Sequence, residues 1–183
     1  MATDAAECQV CEDDSDVDVL QGKKCPHRGM AEPGALCQAG FYCPVGSITD
    51  TEYGCPAGSA CPRGSRTHTP CADGYYQPFE LQAACLRCPA GRQCPGPGAT
   101  KAKVCEAGYY CPEGTGEVMR ECPAGYESPI EGLISEDQCP KCTFGKYCEN
   151  PAQETYTSAC EAGYWCDDVE TTGTPEGHKC LPG

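Results

Sequence analysis

The sequence predicts a small disulfide-rich fold, an elongated tandem array of short β-ribbon and loop units of about 17 residues with little helix. Three observations carry this expectation. Cysteine supplies 20 of 183 residues, above the roughly 8–10% that marks a disulfide scaffold. The 39% hydrophobic fraction includes those cysteines, and without them about 28% remains, thinner than an ordinary globular core, so cross-links must replace burial. The tetrapeptide Cys-x-x-Gly recurs along most of the chain, and 22 Gly and 17 Pro against three Phe, three Met and one Trp favour turns over long helices.

The motif begins at Cys37, Cys55, Cys71, Cys88, Cys105, Cys122, Cys142, Cys160 and Cys180, at intervals of 16 to 20 residues. Cys37, Cys55, Cys88, Cys105, Cys142 and Cys160 each have another cysteine six residues on, at Cys43, Cys61, Cys94, Cys111, Cys148 and Cys166. Cys71 and Cys122 run instead through longer arms to Cys85 and Cys139, each of which opens a Cys-x-x-Cys into the next unit. Further Cys-Pro-x-Gly turns at Cys43, Cys61 and Cys111 close the preceding unit. The six-cysteine super-repeat spans about 51 to 54 residues, running from Cys25 to Cys71, Cys85 to Cys122 and Cys139 to Cys180. The expected boundaries are therefore an acidic segment at 1–24 containing Cys8-x-x-Cys11, then cysteine-rich repeats at 25–84, 85–138 and 139–183, the last with its arm cut short after Cys180.

Each unit has a physical reading. The glycine three residues into the motif (Gly40, Gly58, Gly74, Gly91, Gly108, Gly125, Gly145, Gly163) is expected to take a positive φ or to admit a close backbone approach. Aromatics often follow it, at Phe41-Tyr42, Tyr75-Tyr76, Tyr109-Tyr110, Tyr126, Tyr147 and Tyr164-Trp165. Their rings are expected over neighbouring disulfides, supplying apolar area that so short a loop cannot otherwise bury. The Cys55 and Cys88 units carry Ser59-Ala60 and Arg92-Gln93 there instead. This spacing suits short two-stranded ribbons joined by turns. All 20 cysteines are assigned to disulfides. A six-cysteine set admits on the order of 15 pairings and spacing does not choose among them; the expectation taken is interleaved, Cys88 with Cys105 and Cys94 with Cys111.

The units CPAGSAC at 55–61, CEAGYYC at 105–111 and CEAGYWC at 160–166, with the arms from Cys71 to Cys85 and from Cys122 to Cys139, resemble the ephrin-receptor-like cysteine-rich repeats of growth-factor-receptor-type ectodomains. The resemblance covers about residues 25 to 183. It implies extracellular or cell-surface modules in tandem array, with no catalytic residues to transfer. The acidic start departs from that pattern, and the absence of any Cys-x-Cys separates the chain from ordinary epidermal-growth-factor modules.

Other chemistry is weighed and set aside. Cys8-x-x-Cys11, Cys85-x-x-Cys88 and Cys139-x-x-Cys142 have a zinc-ligand spacing, but the dominant interval is Cys-x5-Cys and the histidines are only His27, His68 and His178. A redox Cys-x-x-Cys would need a βαβ setting that is absent. Asp13-Asp14-Ser15-Asp16-Val17-Asp18 alternates carboxylates as calcium loops do, but Val19 stands where the turn glycine belongs and the closing Glu is missing. No Ser/His/Asp constellation or phosphate-cradling glycine motif is found; an enzymatic reading would need a pocket gathering a His with a carboxylate. No metal site and no cofactor are expected. Asn150 precedes Pro151 and is no N-glycosylation acceptor, whereas Thr67, Thr69, Thr171, Thr172 and Thr174 lie in Thr/Pro-rich stretches that could carry O-linked sugar.

The net charge of −14 makes nucleic acid and anionic membranes poor partners. Structural disulfides place the protein outside reducing compartments, extracellular or at the cell surface. No leader and no apolar run approaching a membrane span is seen in the sequence. The ends look complementary: Cys180-Leu-Pro-Gly opens a third arm, and Cys8-x-x-Cys11 resembles the close of one. The expected function is thus a non-enzymatic structural protein, a rod self-associating head to tail into a fibre or surface appendage through the candidate inter-subunit residues Cys8 and Cys180. The alternative is a fragment of a receptor or adhesion ectodomain that binds another extracellular protein through the arms at 72–84 and 123–138.

Overall fold

A computed structural model of the chain describes residues 36–44, 47, 49–167 and 169–181. The acidic segment, with Cys8, Cys11 and Cys25, lies outside the described residues. Small tight turns and two-residue strands make up the described chain, in tandem order. β1 (Phe41–Tyr42) pairs with β2 (Tyr53–Gly54), β3 (Ser59–Ala60) with β4 (Thr69–Pro70), β5 (Tyr75–Tyr76) with β6 (Leu86–Arg87), β7 (Arg92–Gln93) with β8 (Lys103–Val104), β9 (Tyr109–Tyr110) with β10 (Arg120–Glu121), and β11 (Lys146–Tyr147) with β12 (Ser158–Ala159). Phe41 stands opposite Gly54, and Tyr109 opposite Glu121, in antiparallel register. One 3-10 turn, Glu136–Gln138, is the only helix among the described residues.

The Cys-x-x-Gly motif generates each ribbon. The residue after the glycine donates its N–H to the carbonyl of the residue after the cysteine, as Phe41 does to Gln38 at 3.1 Å and Tyr109 to Glu106 at 3.2 Å. Glycine occupies the third turn position with φ of +87° at Gly40 and +85° at Gly108, which is the requirement of a type II turn. All eight motif glycines named from the sequence have positive φ. Strands form after the turn even where no aromatic follows, at Ser59–Ala60 and Arg92–Gln93, so position rather than side chain decides them.

The turn also decides the disulfides. Cys37–Cys43, Cys55–Cys61, Cys88–Cys94, Cys105–Cys111, Cys142–Cys148 and Cys160–Cys166 are bridged across six residues with Cα separations of 5.8–6.0 Å. The interleaved expectation, Cys88 with Cys105 and Cys94 with Cys111, is therefore wrong: reversing the chain inside one motif already brings its own two cysteines to bridging distance. Cys71–Cys85 and Cys122–Cys139 close the arms, with Cα separations of 5.7 and 5.9 Å. Six residues after Cys71 and Cys122, where the other units place a cysteine, stand Gln77 and Ser128, 2% and 0% exposed. Gln77 donates from Nε2 to the Ala84 carbonyl at 2.7 Å and accepts from the Phe79 N–H at 3.3 Å, which satisfies its amide inside the arm.

Two compact units are distinguished. The first runs to Leu86 and includes Gly96–Lys101; the second holds Arg87–Pro95 and Ala102 onward. Both use one backbone rule. In the first, the carbonyls of Cys37, Cys55 and Cys71 accept the N–H groups of Gly64, Leu81 and Gly98 at 2.8–2.9 Å. In the second, the carbonyls of Cys88, Cys105 and Cys122 accept those of Gly114, Gly132 and Ala152, also at 2.8–2.9 Å. Every donor has positive φ, including Leu81 at +60° and Ala152 at +55°. A second set of bonds runs alongside, with Cys61 N–H to Gln82 in the first unit and Cys111 N–H to Leu133 and Cys148 N–H to Glu170 in the second, at 2.8–2.9 Å. The core is correspondingly sulfur: among the described residues, Leu133 is the one buried hydrophobic that is not cysteine.

Candidate functional site

Two regions differ from the repeating scaffold. The first is the pair of arms. In the arm closed by Cys71–Cys85, Leu81 donates its N–H to Cys55, and Gln82 accepts from Cys61, so the distal half of the arm is tied to the motif before it. Phe79 has no such tie and stands 66% exposed. In the arm closed by Cys122–Cys139, Leu133 packs on that disulfide together with Tyr110 and Tyr126, while Ile130 is 51% exposed and Ile134 is exposed as well. Rings over a disulfide, expected generally, are thus found here. Tyr42 packs instead on Tyr53 and on the edge of His68, with centroids 5.5 Å away in both cases, and Trp165 stacks on His178 at 4.0 Å.

The second region follows the Cys160–Cys166 bridge. Asp167, Glu170 and His178 bring one ligand-type atom each to within 4.8 Å of one another. His178 Nδ1 lies 2.8 Å from Glu170 Oε1, with the side chains 25% and 17% exposed. The turn Pro175-Glu176-Gly177-His178 positions the ring: Gly177 has φ +90° and the His178 N–H donates to the Pro175 carbonyl at 3.2 Å. The His178 carbonyl in turn accepts the Trp165 N–H at 2.9 Å. Sequence reading missed this cluster. Proline and glycine at 175 and 177 signal the turn, but no spacing rule brings residue 178 back to 167 and 170.

Cys85, Cys88, Cys139 and Cys142 are each bridged to a partner outside their Cys-x-x-Cys, which removes two of the three zinc spacings weighed from the sequence; Cys8-x-x-Cys11 and the acidic run at 13–18 lie outside the described residues. Cys180 is unpaired and exposed. Thr67, Thr69, Thr171, Thr172 and Thr174 are all exposed, with Thr69 in β4. No helix of the described residues is long and apolar enough to cross a membrane.

No curated protein matches the chain. A family model, described as tyrosine-protein kinase ephrin type A/B receptor-like, matches residues 58–105. That stretch runs from the turn glycine of the Cys55 unit, through the first arm, to the first cysteine of the Cys105 unit, so it contains one complete arm and its disulfide. The short bridges, the arm and the matched model agree, and the chain contains an ephrin-receptor-like cysteine-rich repeat.

Proposed function

We propose that the chain is a non-catalytic, extracellular protein-binding module of a receptor or adhesion ectodomain, engaging its partner through the arms at 72–84 and 123–138. The observation that carries this is the presentation of Phe79 and Ile130, apolar and more than half exposed, on loops each closed by a disulfide. Apolar anchors on a preorganised loop lose little conformational freedom on binding, the condition under which a few side chains dominate an interface. The family match supports a receptor-type module rather than a catalytic fold, and the eight disulfides among the described residues suit an oxidising exterior.

The test is a binding screen of the oxidised chain against a panel of purified secreted and ectodomain proteins, repeated with Phe79→Asp and Ile130→Asp. At least one partner should bind the parent chain and lose about tenfold or more in affinity with either variant, each first shown by peptide mapping to keep the parent's disulfides. A panel with no binder, or a binder indifferent to both changes, overturns the reading.

The fibre reading finds no support in the family match. One observation keeps it as a second reading: Cys180 is exposed and unpaired. Under it, the oxidised chain forms reductant-sensitive polymers by size exclusion that Cys180→Ser abolishes; a chain monomeric with either residue removes the fibre.

A further inference from the structure

We propose that Asp167, Glu170 and His178 form a binding site for a divalent transition-metal ion of the zinc type. The three ligand-type atoms lie within 4.8 Å of one another, on backbone that other bonds already hold. Asp167 directly follows the Cys160–Cys166 bridge. Glu170 is fixed by the Cys148 N–H on its carbonyl at 2.8 Å. His178 sits in its own turn under the stacked indole of Trp165, the ring planes 21° apart.

The imidazole is what separates this cluster from an acidic patch. His178 Nδ1 is closed to solvent and has no hydrogen-bond partner, although Glu170 Oε1 is only 2.8 Å away. The carboxylate therefore lies off the direction in which the ring N–H would point. The contact is close but lacks the hydrogen bond that would satisfy the nitrogen, and a cation shared by the ring nitrogen and the carboxylate oxygen fills that gap. A buried polar atom with no partner is costly, and ligation satisfies it.

The donor set selects the ion. Calcium and magnesium take oxygen ligands, whereas one imidazole with two carboxylates suits zinc and its neighbours. Three protein ligands leave a coordination position open for water or for a side chain of another protein. Asp167, Glu170 and His178 belong to neither arm, and the proposal does not depend on the reading of the arms' partner.

Trp165 is the only tryptophan in the chain, and its stacking on His178 makes it a built-in reporter. Zinc chloride titrated into the metal-free oxidised chain should change its fluorescence saturably, with one equivalent bound by calorimetry. His178→Gln should abolish that equivalent, and Asp167→Asn or Glu170→Gln should weaken it about tenfold or more. His68→Gln and Cys180→Ser should leave it intact, and calcium should not compete. Absence of zinc binding overturns the proposal. So does binding that survives His178→Gln, in a variant shown to keep its disulfides, or binding that disappears with Cys180→Ser.

Discussion

Gly91 and Gly145 share a φ of +76° but not a neighbourhood. A Cβ on Gly91 would come within 2.6 Å of the Gly132 carbonyl oxygen, whereas one on Gly145 would meet nothing within 4 Å. Gly145→Ala should then cost about 1–2 kcal/mol, the price of left-handed backbone for an L-residue. Gly91→Ala should cost about 2–5 kcal/mol, because overpacking against main chain adds to the same strain. Denaturant unfolding of the two oxidised variants measures the difference; equal losses would mean that the close approach contributes nothing. The motif glycines were legible in the sequence because only one residue type enters that conformation freely. Leu81 and Ala152 were not legible. They take positive φ because their N–H groups bond the carbonyls of Cys55 and Cys122, a tertiary demand that no local pattern announces.

The ribbons and arms follow from whether a thiol stands six residues after the motif cysteine. Sequence showed the two classes of unit, and it placed the arms, but it did not show the pairing, since equal spacings admit many partners until the turn is folded. The turn geometry makes a prediction for Gln77, which occupies the place of a second cysteine. Gln77→Cys should draw Cys71 into a six-residue bridge and release Cys85, detected by peptide mapping as a new disulfide and a free thiol. Persistence of Cys71–Cys85 alone would show that the arm, not the turn, selects the partner. Removing the arm bridge by Cys71→Ser with Cys85→Ser should cost about 2–4 kcal/mol. Amide exchange should rise over 72–84 and remain unchanged around Cys105–Cys111.

At the scale of the whole molecule, a core built from sulfur responds to electrons rather than to heat. Tris(carboxyethyl)phosphine should abolish dispersion of the tyrosine amide and ring resonances at a temperature where the oxidised chain shows no thermal transition; a reduced chain that kept them would show that the ribbons stand without their bridges. Composition made this class readable. The His178 cluster was hidden because it joins residues through the return of a turn, and the exposure of Phe79 and Ile130 was hidden because loops of like composition bury some apolar residues and present others. The six short bridges carry one further consequence, for how such a chain is made. On the proposed extracellular reading, each joins two thiols that leave a translocation pore within seven residues of each other, so an oxidase meeting the nascent chain can seal a motif before the next has emerged. Closing a short loop also loses less entropy than closing a long one. The pairing problem that looks combinatorial on paper is then solved one seven-residue motif at a time during export, and among the described bridges only the two that close the arms wait for more distant chain.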